Sequence, residues 1–173
     1  QISGTTATFS GPMPDKVGVG DVLAYNSGGA QLAFIHGRIS SSVYTVKDKN
    51  GNTPTAAPAA TAVGVYRAYI ALNNWNYQFE NTEIPEPVEN DVNPSKNIAS
   101  ANTIMMVACY DDGWSADYTA EISGWTTDAY RYIKIYTPVS SSEVGVSQRH
   151  NGKWDNTKYR IVDDTVGINI TGS

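Results

Sequence analysis

The chain has 173 residues, enough for one domain with a sizeable core or for two small lobes. Charged residues make up only 17%, and Ser, Thr, Asn and Gly stand in their place with 11 Tyr and 4 Trp, which suits an extracellular β-rich protein solvated by hydroxyls and amides. A net charge of -5 without any Lys/Arg cluster excludes a nucleic-acid or polybasic membrane footprint, no apolar run is long enough to span a bilayer, and the single Cys109 excludes an intrachain disulfide.

The chain opens on Gln1-Ile2-Ser3-Gly4 with no initiator Met, which reads as a processed or trimmed N-terminus and fits a secreted chain. A first region, residues 1–61, reads as short strands. Thr5, Thr6, Ala7, Thr8 and Phe9 alternate weakly between polar and apolar, and Gly11-Pro12-Met13-Pro14-Asp15 then breaks the chain. Residues 21–25 and 31–36 flank Asn26-Ser27-Gly28-Gly29, a hairpin loop whose residues tolerate positive φ. Residues 43–47 form a further strand and lead into Asp48-Lys49-Asn50-Gly51-Asn52, where Asn-Gly marks a tight turn. Residues 53–61, rich in Ala, Pro and Thr, read as loop.

The second region, residues 62–173, opens with the one good helix signal. Val65, Ala68, Tyr69, Leu72 and Trp75 recur at spacings of three and four, predicting a helix over 65–75 that Asn73, Asn74 and Asn76 help to end. Such a helix would shield the strand that follows it from edge pairing. Residues 80–100 carry Pro85, Pro87, Pro94 and several carboxylates and read as an ordered loop or insertion. Short apolar strands then recur at 103–110, 118–122, 131–137 and 166–170, with turns at Gly113 and Gly124. Strict alternation through Arg131-Tyr132-Ile133-Lys134-Ile135-Tyr136 gives one buried face, carrying Ile133 and Ile135 or their neighbours. The expected fold is mainly β: a small N-terminal β region, one capping helix, then short coils of a parallel β-helix or solenoid. Nothing around Val166, Ile168 and Ile170 looks like a cap, so the last coil is expected to be either a cut end or a docking face for another subunit.

No catalytic constellation stands out, and no enzyme is expected. Cys109 follows the apolar run Ile104-Met105-Met106-Val107-Ala108 and precedes two acids, a setting for a buried thiol and not for a nucleophile. His36 and His150 are the only histidines, and no Gly-x-Ser-x-Gly elbow accompanies them. Asp111, Asp112 and Asp117 lie close together in one turn; Ca²⁺ is the ion such hard oxygens would take, against the plainer reading that they cap and solvate the turn. Asp163 and Asp164 form a second pair. Asp48-x-Asn50-x-Asn52 imitates the start of an EF-hand loop, but Ala59 stands where the bidentate acid belongs, so that reading fails. Exposed aromatics, Trp114 and Trp154 first among them, would stack on sugar rings or anchor a subunit contact; core packing is the alternative and suits Trp75 and Trp125 best.

The segments Gly124-Trp125-Thr126-Thr127-Asp128, Tyr132-Ile133-Lys134-Ile135-Tyr136-Thr137-Pro138, Ser147-Gln148-Arg149-His150-Asn151-Gly152-Lys153-Trp154-Asp155 and Tyr159-Arg160 resemble the opening coils of bacterial surface proteins with a right-handed parallel β-helix, the pectate-lyase-like solenoid class. The stripe Tyr69, Leu72, Trp75 is similar to the helix ahead of their first coil. Ala33-Phe34-Ile35-His36-Gly37-Arg38 and Tyr44-Thr45-Val46-Lys47 look like the small β region that precedes such solenoids. The resemblance implies a secreted or cell-surface bacterial protein and supplies no activity. Members of that class continue for many more coils. Polysaccharide lyases on the same scaffold hold Ca²⁺ with carboxylates and use a basic residue as proton acceptor; with no catalytic constellation in view, a lyase is the least favoured reading here. The expected role is an exported structural subunit. Its copies would assemble into a filament, tube or surface layer, with Thr5, Thr6, Ala7, Thr8 and Phe9 adding to a neighbour's sheet and Val166, Ile168 and Ile170 forming the open end. The alternative is an adhesin or carbohydrate-binding module that recognises surface glycans through Trp114 and Trp154.

Overall fold

The structure, a computed structural model, describes residues 1–85, 88–92, 94–111, 117–162 and 167–171. The chain divides into two compact units, each assembled from three separate segments.

The first unit comprises Gln1–Ala68, Asn81–Val92 and Pro138–Ser147. Its strands are β1 (Ile2–Ser3), β2 (Thr6–Thr8), β3 (Asp21–Asn26), β4 (Ala30–Arg38), β5 (Val43–Lys47) and β6 (Val63–Arg67). They form one antiparallel sheet in the order β1-β2-β5-β4-β3-β6. The hairpin between β3 and β4 turns where the sequence predicts it, with Gly28 and Gly29 at φ 70° and 143°, a backbone that side chains resist. β4 is irregular between Ile35 and Gly37, which leaves His36 as the extra residue. A Cβ on Gly37 would come within 2.8 Å of the Thr45 hydroxyl, so glycine lets the two strands approach there. Val22, Leu23, Ala24 and Tyr25 of the central strand are all buried, and Leu23, Tyr25, Ala33, Ile35, Tyr44 and Val46 meet Ile2, Ala7 and Ala57 in one core. Asp21 is buried too. It pairs with Arg67 and accepts the Gly18 N–H at 2.9 Å, while Arg67 also donates to the Lys16 carbonyl at 2.9 Å. The 138–147 segment is stitched on by main-chain bonds from Arg38 to Ser142 (2.7 Å) and from Gly145 and Val146 to Asp15 (2.9 and 3.1 Å).

The second unit comprises Tyr69–Glu80, Asn93–Thr137 and Gln148–Ser173. Its described residues form two short helices, α1 (Leu72–Tyr77) and α2 (Ile98–Ala101), and four strands, β7 (Met105–Ala108), β8 (Ala120–Ile122), β9 (Ile133–Tyr136) and β10 (Ile168–Ile170). β7 pairs with β9 and β8 with β10, both in parallel; Asn97 with Thr126 and Asp117 with Ile161 make parallel bridges. Leu72, Trp75, Ile98, Cys109, Ala120, Ile122 and Trp125 form the core, with Trp75 stacked on Trp125 at 4.9 Å between ring centroids. Asn76, buried beneath them, accepts the Trp125 indole N–H and the Ser123 N–H, each at 3.1 Å.

These findings correct the expected solenoid and the resemblance behind it. The large sheet is antiparallel, parallel pairing is confined to two-stranded sheets and isolated bridges, and no solenoid of parallel coils is present among the described residues. A solenoid wall needs at least about three stacked repeats to bury a continuous core. In the first unit the short β3–β4 turn dictates the opposite pairing, since parallel neighbours need a long crossover. The predicted helix over 65–75 is also relocated. Val63 and Val65 pack against the first core from strand β6, and the helix begins only at Leu72. A short apolar run satisfies both periods, and β-branched valines settle on the sheet.

Candidate functional site

The site lies on β10 and follows from register. In the parallel β8–β10 pair, Ile168 lies beside Ala120 and Ile170 beside Ile122, so matched side chains share a face. Ala120 and Ile122 are 0% and 5% exposed, because that face is the core and α1 packs on β8. Ile168 and Ile170 carry the same row onward but are 41% and 74% exposed. The row of core side chains therefore runs out into solvent. The main chain tells the same story. Ala120 donates to the Gly167 carbonyl at 3.0 Å and Thr171 donates to the Ile122 carbonyl at 3.1 Å. Gly167, Asn169 and Thr171 thus face β8, and the N–H and C=O groups of Ile168 and Ile170 point to the opposite edge. Among the described residues no strand pairs with that edge. β9 repeats the arrangement: Met105 and Cys109 donate to Tyr132 and Tyr136 (3.1 and 2.8 Å), so Ile133 and Ile135 present their main chain outward. Val166, assigned to the same open end, lies outside the described residues.

The other half of the expected interface is placed differently. Thr6, Ala7 and Thr8 form β2, hydrogen-bonded to β1 on one side and β5 on the other. The Thr5 carbonyl accepts from Val46 at 2.8 Å, Phe9 donates to Ser42 at 2.9 Å, and Ala7 is buried in the first core. Both edges of the 5–9 segment are used within its own sheet.

The two described candidate Ca²⁺ ligands, Asp111 and Asp117, are engaged with protein groups. Asp111 is buried, its N–H donates to the Gln148 side-chain oxygen at 3.1 Å, and its carboxylate lies 3.8 Å from Arg160. One Asp117 oxygen accepts the Tyr159 hydroxyl at 2.7 Å and the Leu72 N–H at 3.2 Å, so this acid satisfies the start of α1, where Ala71 supplies no side-chain cap. Among the described residues no group of three or more His, Cys, Asp or Glu side chains is placed to hold a metal ion. Asp112, Asp163 and Asp164 lie outside those residues. The Asp48 carboxylate accepts the Asn50 and Asn52 N–H groups at 2.9 and 2.8 Å, which makes it the anchor of a turn. Burial pushes the Cys109 thiol up to about 12, with Tyr159 opposing and Asp117 adding to the shift, so it stays protonated near neutral pH. Desolvation, then Lys47, holds the His36 imidazole below its ordinary value.

Trp114 lies outside the described residues; Trp154 is 69% exposed. Its indole N–H donates to the Asn156 side chain at 2.6 Å, and its ring stacks on His150 at 5.7 Å between centroids. Asp155 supports the turn by accepting the Thr157 N–H at 2.9 Å and hydroxyl at 2.7 Å, and these bonds hold its carboxyl below the usual range. The contribution of Asn156 was not legible from composition, whereas hydrogen bonding of His150 and Asp155 to loop backbone follows from the need of an irregular loop to satisfy its polar groups, and the Asp155 N–H does donate to His150 Nδ1 at 3.2 Å.

A scan against protein-family models, a search of curated proteins and a search of solved structures each found no significant match. No helix among the described residues is long and apolar enough to cross a membrane.

Proposed function

We propose that this chain is an exported structural subunit that polymerises with copies of itself into an extracellular filament, tube or surface layer. The observation that carries the reading is the exposure of Ile168 and Ile170 in register with the buried Ala120 and Ile122. An apolar strand whose outer edge no described strand pairs, with no charge, proline or bulge to protect it, is a template for another strand. The receiving strand in the next copy is β6, which with β1 forms the two edges of the six-stranded sheet. Pairing between two different edges is heterologous and builds a filament wherever the rotation between copies does not close a ring, whereas β10 against β10 would close as a dimer. The low charge and abundance of Ser, Thr and Asn support an extracellular setting. The proposal rests on β10 and not on residues 5–9, whose edges are occupied.

Electron microscopy and light scattering on the purified chain, from dilute to concentrated, test the reading. Regular polymers are the expected result. A monodisperse monomer at every concentration overturns it, and a discrete dimer overturns the head-to-tail arrangement.

A further inference from the structure

We infer that the 148–160 loop carries a saccharide-binding platform, with the open face of Trp154 stacking on a neutral β-linked hexopyranose chain. Of the three described tryptophans, Trp75 and Trp125 are stacked in the core, and Trp154 alone faces solvent. It is nevertheless fixed. Asn156 holds the indole N–H, His150 supports one ring face, and the Asp155 N–H donates to His150 Nδ1 at 3.2 Å. Arg160 donates to the Asn156 carbonyl at 2.7 Å, and Tyr159 closes the base of the loop on the Gln148 carbonyl at 3.1 Å. A ring immobilised before binding loses little freedom when a ligand arrives.

The surroundings choose the ligand class. A protein-binding anchor sits amid other apolar groups that exclude water from it. Within the loop that carries Trp154, the other exposed residues are Asn151, Gly152, Lys153, Asn156 and Thr157, all polar or without a side chain. The matching ligand is one ring wide, apolar on one face and lined with hydroxyls at its rim. A pyranose in a β-linked chain has that form: its C–H bonds meet the indole face, and its hydroxyls meet amides and an ammonium. This inference uses none of the β10 residues and does not depend on self-association.

Saturation-transfer NMR with cellohexaose, laminarihexaose and mannohexaose as probes tests the inference on the whole chain. The expected result is transfer to the ring protons of at least one hexaose. Affinity should fall about tenfold in Trp154→Ala and less in Trp154→Phe, which keeps an aromatic face. Circular dichroism and melting temperature should match the parent, because Trp154 is a surface residue. Absence of transfer from all three hexaoses overturns the inference, as does an unchanged signal in Trp154→Ala. Loss of self-association in Trp154→Ala with the sugars inert would make the ring a protein contact and equally overturn it.

Discussion

Replacing Ile170 by Lys tests the assembly edge. Ile168 and Ile170, at 41% and 74% exposure, together leave a little more than one isoleucine side chain in water. Covering that surface is worth about 2–3 kcal/mol. The outward N–H and C=O groups of the two residues allow up to four main-chain hydrogen bonds, each contributing about 1 kcal/mol net. Against this gain of about 6–7 kcal/mol stands a cost of association of about 4–15 kcal/mol. A single contact is therefore weak, and polymers should form only above a threshold concentration. Lys at 170 removes the larger of the two apolar contributions and places a charge on the edge, the device by which natural edge strands avoid pairing. Losing about 1.4 kcal/mol or more moves the threshold at least about tenfold upward. Monomer stability should change by no more than about 0.5 kcal/mol, since the side chain is mostly in solvent. Sedimentation velocity over a wide concentration series, with urea melts as the folding control, reads both quantities. Equal association by the parent and Ile170→Lys would refute the reasoning, as would a parent that never associates.

Three further predictions concern the two cores. Arg67→Met leaves Asp21 buried without its cation and should cost about 3–5 kcal/mol at neutral pH, with Asp21→Asn restoring much of the loss in the double variant. Burial raises the Asp21 pKa and Arg67 pulls it back, so folded Asp21 binds its proton more tightly than unfolded Asp21; its contribution is present below 3.8 and is lost as pH rises through the raised folded value. Removing Arg67 raises that value further, so urea melts should show a small penalty below pH 3.8 and a large one at pH 7, and a penalty independent of pH would contradict the assignment. Asp117→Ala removes the acceptor of the Tyr159 hydroxyl and the Leu72 N–H and should cost about 2–4 kcal/mol by thermal or urea unfolding, with or without added Ca²⁺; a loss confined to Ca²⁺-containing buffer would assign Asp117 to a bound ion instead. Native Cys109 should resist iodoacetamide between pH 7 and 9 and react once urea unfolds the chain, whereas rapid native labelling would show an accessible thiolate.

Local chemistry was legible in the sequence; partners were not. Gly28 and Gly29 announced the β3–β4 hairpin because positive φ is a property of the residue itself. Val65 could not reveal whether its period was 2 or 3.6, because the answer lies in the core it joins. Asn97, which caps α2 by accepting the Ser100 N–H at 3.0 Å, hid a helix inside a proline-bearing segment that reads as loop. Asp117 looked like a metal ligand for the same reason that it serves α1: an acid in a turn offers oxygens, and only the fold determines whether an ion, a hydroxyl or an N–H meets them. The apolar character of Ile168 and Ile170 was plain from the chain. Their meaning depends on register, since a shift of one residue would turn both side chains away from the row that holds Ala120 and Ile122. The candidate edge is thus written jointly by two segments far apart in sequence, and a substitution that moved the β8–β10 register would disable it without altering either isoleucine.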